Sequence, residues 1–160
     1  MGAYYEKPGA FGISHNKLAP GDQNLILPWQ KTGDKYDLTK WNDNYFKRLH
    51  DFMTTAAENN IIVEVNLFSA YYGAGWSYHP FNGNNNINGT PQDLPFNKVN
   101  TLENGNILKF QKDYVIKLIQ ALNEFNNFYF EIQNEPWDDN KKNLICLNVY
   151  ASGKKFKQTG

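Results

Sequence analysis

Glu135 is the residue whose type and position best suit chemistry. It belongs to the run Phe128-Tyr129-Phe130-Glu131-Ile132-Gln133-Asn134-Glu135-Pro136-Trp137. That run reads as a buried strand ending in an amide, a carboxylate and an indole. Aromatic and β-branched residues favour strand. Pro136 has no N–H to give to a ladder, so pairing should stop there, and it biases Glu135 toward extended backbone. Upstream, the stretch from about Ser69 to Asn106 holds Tyr71, Tyr72, Trp76, Tyr78, His79 and Phe81, followed by Asn82-Gly83-Asn84-Asn85-Asn86-Ile87-Asn88-Gly89. Rings of this kind stack on the apolar faces of sugars or fill cores, and their types leave both readings open. His79 has no second histidine at ligand spacing, and His15 and His50 are scattered, so no metal site is expected. The single Cys146 excludes an internal disulfide and reads as an inert packed thiol.

The elements that must position these groups follow from periodicity. Asn42 or Asp43 caps a helix whose apolar stripe is Tyr45, Phe46, Leu49, Phe52, Met53, Ala56 and Ala57. Asn59-Asn60 ends it, and Ile61 to Phe68 follows as a strand. A second helix carries Leu108, Gln111, Tyr114, Val115, Leu118, Ile119, Leu122 and Phe125, is closed by Asn126-Asn127, and leads into the strand before Glu135. Helix, tight turn and buried strand, twice over, is the rhythm of a parallel α/β sheet. Residues 1–40, rich in Gly, Pro and Asn, read as a long irregular excursion. The 69–106 connection is unusually long, and its aromatic content argues for a binding loop rather than disorder.

Strand alternation sharpens the expectation. If Glu135 faces the lumen of a barrel, Gln133, Glu131 and Tyr129 share its side. Asn134 then points away unless a twist or bulge turns it. In the earlier strand Ile62, Glu64, Asn66 and Phe68 share one parity. Glu64 and Glu131 thus lie at matching depth and read as a structural network below the site. Strand tips are where a (β/α) barrel keeps its catalytic groups.

Composition sets the outer limits. The chain has 160 residues, enough for one domain with a real core but too few for a closed eight-stranded barrel, which needs roughly 200. Sixteen basic and sixteen acidic side chains cancel, so neither nucleic acid nor an anionic membrane is an expected partner. No long apolar run predicts a transmembrane helix. Met1 to Pro8 lacks the apolar core of a signal peptide, and localisation stays open. After Trp137 the character changes to Asp138-Asp139-Asn140-Lys141-Lys142 and a lysine-rich end around the apolar stretch Leu144 to Tyr150.

Taken together the pieces resemble a family. Asn134-Glu135-Pro136 at a strand end is similar to the acid/base motif of clan A retaining glycoside hydrolases. Further pieces resemble a cellulase-like branch related to family five: Tyr4-Tyr5-Glu6, Pro8-Gly9-Ala10-Phe11, Asn16-Lys17-Leu18-Ala19-Pro20, Pro28-Trp29, Asp37-Leu38-Thr39-Lys40-Trp41 with Tyr45-Phe46, Val63 to Phe68, and Asn85-Asn86-Ile87-Asn88-Gly89. The resemblance implies a partial (β/α)8 TIM barrel over residues 1–137, running from the end of strand two at Gly2-Ala3-Tyr4 through strand four, with 138–160 as a divergent tail. It implies Glu135 as acid/base and a nucleophile, after strand seven, that no residue here matches. Asn134, Trp137, Trp76, Tyr72, His79 and Asn66 are the implied carbohydrate contacts, and no cofactor is implied. The substrate class is a β-linked polysaccharide or oligosaccharide. A non-catalytic carbohydrate-binding module and a non-functional product that folds poorly alone are the competing readings. A piece of a barrel leaves two open strand edges and a bare lumen face with Ile62, Phe68 and Tyr129, which predicts an oligomeric, aggregated or molten chain.

Overall fold

The computed structural model describes residues 26–69 and 73–134. The first described element is a hairpin. Strand β1 (Trp29–Thr32) pairs antiparallel with β2 (Lys35–Trp41), and Thr32 faces Lys35 across a two-residue turn. Gly33 has φ +63° and Asp34 a negative φ, the pattern of a type II′ turn, whose twist matches that of its strands. These residues do not form the irregular excursion expected of them. Gly-Asp between Lys31-Thr32 and Lys35-Tyr36 is itself a hairpin signal.

Helix α1 (Asp43–Glu58) starts where its sequence indicates, with Asn42 Oδ1 accepting from Asn44 N. It ends on Asn60, at φ +57°, while the N–H groups of Asn60 and Ile61 return to Ala57 and Ala56 carbonyls. A residue in the left-handed region commonly terminates helices in this way. Met53 and Ala56 are buried, whereas Phe52 and Ala57 at the stripe's margins are exposed. Strand β3 (Val63–Ser69) follows. Beyond a single helical turn, α2 (Gly73–Trp76), and a 3₁₀ turn at Phe96–Lys98, helix α3 (Ile107–Leu122) returns the chain to β4 (Phe128–Asn134). The helix stops at Leu122, short of Phe125, because the Phe125 N–H turns back to the Leu122 carbonyl.

Strands β3 and β4 are parallel, in unbroken register from Val63 opposite Phe128 to Ser69 opposite Asn134. One face, with Val63, Val65, Phe128 and Phe130, packs beneath α1 and α3 on Leu49, Met53, Leu122 and Phe125. The larger core cluster joins Trp29, Leu38, Leu67, Phe68, Phe81, Phe110, Tyr114 and Leu118. Burial of this many large side chains is the main favourable term, at about 25 cal/mol per Å² of apolar area.

The expected partial TIM barrel is not the fold. The described residues form a small mixed α/β domain with two separate two-stranded sheets, one antiparallel and one parallel. A barrel needs each strand paired on both sides in one continuous parallel sheet. Here β3 and β4 pair only with each other among the described residues, and the other strands form a hairpin in a separate sheet. The proposed tail of strand two, Gly2-Ala3-Tyr4, lies outside the described residues.

The long connection between β3 and α3 is a packed layer. Trp76, His79, Phe81, Asn82, Asn86, Thr90, Val99, Asn100 and Asn104 are all buried. Asparagine satisfies its interior: Asn86 Nδ2 donates to the Pro80 and Asn82 carbonyls and to Thr90 Oγ1, while Asn86 Oδ1 accepts from Asn88 N. The loop also lies along β2. Tyr36 N donates to the Asn85 carbonyl at 2.8 Å and Ile87 N to the Tyr36 carbonyl at 3.0 Å. Asn88 Oδ1 extends this bonding by accepting from Leu38 N at 2.7 Å. The loop therefore occupies hydrogen-bonding positions that an added strand would otherwise take.

Candidate functional site

The sheet face turned away from the helices collects the polar groups. Register sets Glu64 beside Tyr129 and Asn66 beside Glu131. The Tyr129 hydroxyl donates to Glu64 Oε2, and Asn66 Nδ2 donates to Glu131 Oε2. Burial raises the Glu131 carboxyl above its ordinary range, a hydrogen bond and the negative charge of Glu64 raise it further, and the Asn66 amide pulls it back. The Tyr129 phenol is also raised, first by its bond to Glu64, then by burial and by the two carboxylates. Asn66 Oδ1 is buried with no hydrogen-bond partner. Glu64 and Glu131 share this face, as alternation implies, but not the matching depth expected of them: the register sets them two residues apart, each beside a neutral partner, Tyr129 or Asn66, that becomes evident only with the pairing.

At the C-terminal edge of the sheet Asn134 stands opposite Ser69 and is exposed. The uninterrupted register contains no bulge, so alternation keeps Asn134 on the side of Phe130 and Ile132. The Ser69 carbonyl accepts from Asn100 Nδ2 at 3.0 Å, which fastens this edge to the long loop. Glu135, Trp137 and Tyr72 lie outside the described residues. Trp76 and His79 are in the interior. The Trp76 indole N–H donates to the Leu94 carbonyl at 2.8 Å, and its ring stacks on that of His79 with centroids 6.1 Å apart. His79 Nδ1 accepts from Phe81 N at 3.0 Å, and its ring packs against Trp29 and Phe81. With both side chains almost fully buried, neither ring offers a face to solvent. Of the six implied carbohydrate contacts, then, Asn66 and Asn134 lie on the same strand pair, while Trp76 and His79 belong to the core.

Phe68, expected on a bare face, is buried in the main cluster, whereas Ile62 and Tyr129 are 72% and 53% exposed. A second polar centre escaped sequence reading. Gln111 is completely buried on α3 and meets Asn104, Asn100 and the Val99 carbonyl from the loop. Its place within an apolar stripe was the only signal available. Among the described residues no cluster of three or more His, Cys, Asp or Glu is able to hold a metal ion, and no helix is long and apolar enough to cross a membrane. No family model matches the chain, and neither does any curated protein or solved structure.

Proposed function

We propose that this chain handles carbohydrate, with Glu135 as the acid/base residue of a retaining glycosidic cleavage whose nucleophile the chain does not supply. The observation that supports this reading most is the exposed Asn134 at the C-terminal edge of the parallel β3–β4 pair, immediately before Glu135 in sequence. In open α/β sheets ligands bind outside the carboxyl ends of the strands. The acid would protonate the leaving oxygen as the glycosidic bond breaks and later take a proton from the attacking water. The second carboxylate of such a reaction stands about 5–5.5 Å away in retaining enzymes. General acid catalysis alone contributes roughly 10²–10⁴-fold, so turnover by the isolated chain should be negligible.

Carbohydrate binding without cleavage is the second reading, favoured by the half-exposed Tyr129 ring beside Glu64, Asn66 and Glu131. An aromatic face with flanking hydrogen-bonding groups suits a sugar. Calorimetric titration with β-linked gluco-oligosaccharides, together with aryl glycoside hydrolysis, tests both. Binding weakened by Tyr129→Ala but not Glu135→Gln supports the binding-only reading. Binding weakened by Glu135→Gln and Asn134→Ala supports the acid/base reading. Efficient turnover with retained configuration would show that a nucleophile is present, and a folded chain that binds no oligosaccharide would overturn both readings.

A further inference from the structure

Asparagine followed by glycine occurs three times, as Asn82-Gly83, Asn88-Gly89 and Asn104-Gly105. This dipeptide has its own chemistry. The glycine backbone nitrogen attacks the asparagine Cγ, the bond from Cγ to the side-chain nitrogen breaks, and ammonia leaves a five-membered succinimide. Water then opens the ring at either carbonyl, giving aspartate or isoaspartate. Water is the only co-reactant. Glycine favours the step because no Cβ shields the attacking nitrogen. In a folded chain the step further requires that the glycine N–H be unengaged and that backbone and side chain be free to approach each other.

We infer that Asn88 is the site at which this chain modifies itself by deamidation, and that the fold protects Asn82 and Asn104. Asn82 is buried, its Oδ1 accepts from Asn84 N at 3.0 Å, and the Gly83 N–H is donated to the Pro91 carbonyl at 3.1 Å. Gly83 also has no room to move, since a Cβ there would lie 2.0 Å from the Thr90 carbonyl oxygen. Asn104 is fully buried; its Nδ2 reaches the Val99 carbonyl and Gln111 Oε1 at 2.7 Å each, and its Oδ1 accepts from Leu108 N at 3.0 Å.

Asn88 is less enclosed than either. It is only partly buried, and Gly89 is exposed at φ +67° with nothing within 4 Å of where a Cβ would stand. The Gly89 N–H makes no hydrogen bond among the described residues. The bond from Leu38 N to Asn88 Oδ1, at 2.7 Å, draws electron density from the Cγ that must be attacked. The departing Nδ2 is held only by Asp37 Oδ1, at 3.4 Å. Reaction there has a structural outcome, because Asn88 helps to fasten the loop to β2. The product sets a new carboxylate against that of Asp37. In the isoaspartate form the backbone gains a methylene, which displaces the acceptor of the Leu38 N–H.

The test is to incubate the folded chain at mildly alkaline pH beside a sample unfolded in urea, then to map aspartate and isoaspartate by mass spectrometry of digests. Asn88 should convert at least about tenfold faster than Asn82 or Asn104 in the folded chain, since buried sites react only through local opening. The three rates should draw together in urea. Aged protein should also show faster hydrogen exchange at the Leu38 amide. Equal rates at the three sites in the folded chain, a lead by Asn82 or Asn104, or an Asn88 that stays intact while the unfolded chain converts, would overturn the inference.

Discussion

Replacing Gln111 with leucine tests whether the buried amide network holds the long loop to α3. Gln111 Nε2 donates to the Val99 carbonyl and to Asn100 Oδ1, both at 3.1 Å, and its Oε1 accepts from Asn104 Nδ2 at 2.7 Å. Leucine has nearly the same volume, so no large cavity opens. The Val99 carbonyl keeps Asn104 as a donor. Asn100 Oδ1 and one N–H of Asn104 lose their partner, at about 1–3 kcal/mol each when buried. Apolar burial of leucine returns about 1–2 kcal/mol. At mid-range the net loss is about 2–3 kcal/mol, a large share of a typical stability of about 5–15 kcal/mol. For a domain of this size the melting temperature should fall by roughly 10 °C. Urea and thermal denaturation followed by circular dichroism would measure it, with Gln120→Leu on the exposed face of the same helix as the control. That control should stay within about 0.5 kcal/mol of the parent. Equal effects of the two substitutions would refute the network.

The remaining predictions concern charge and backbone. Asp37, held down at about 2 first by the Thr39 hydroxyl and backbone N–H and then by Asn88 and Lys40, contributes stability above its ordinary value of 3.8 that is lost as pH falls toward 2. With a discount for exposed Lys40, Asp37→Asn should cost about 1–2 kcal/mol at neutral pH and almost nothing near pH 2, read from melts across pH. Glu131 has the opposite sign. Its raised value means the folded chain keeps the proton longer, so its contribution is complete below the ordinary 4.5 and declines as pH rises through the raised value. Glu131→Gln, which keeps an acceptor for Asn66, should therefore raise the neutral-pH melting temperature, with the gain vanishing in acid. Asn60→Gly should stabilise by up to about 1 kcal/mol in urea titration, because φ +57° favours glycine.

Elements governed by local rules were legible in the sequence. The Asn42 cap, the Asn59-Asn60 stop and the apolar stripes place both long helices, and parity alone puts Glu64 and Glu131 on one face, although the register then separates them by two residues. Partnering between distant segments was harder to read. Trp76 and His79 carry side chains equally suited to a sugar and to a core, and only the closing of the loop over Trp29 and Phe81 decides for the core. Asn86, Asn100 and Asn104 look like surface residues, yet they are buried because they satisfy one another and nearby carbonyls. The barrel expectation rested on resemblance, whereas physical signals supported only a parallel strand pair with a connecting helix. The hairpin was readable from Gly33-Asp34 and was missed because its neighbours are rich in Gly, Pro and Asn. Of the candidate site, the sheet face and Asn134 can be followed into the structure, while Glu135 lies beyond the described residues.

The parallel pairing of β3 with β4 bears on how the chain folds. Partners across this sheet are 65 residues apart in sequence. Closing a loop of that length costs about 4 kcal/mol beyond a constant, and the cost falls due before any contact across the sheet is made. The β1–β2 hairpin closes over two residues and carries no such burden. Nor can the sheet form early by itself, because its apolar face is covered by α1 and α3, and the residues linking the strands include the loop that packs on Trp29. Assembly should therefore run from hairpin and helices to a late, cooperative docking of β4. Contacts made by Phe128 and Phe130 would then govern how quickly the native state opens more than how quickly it forms.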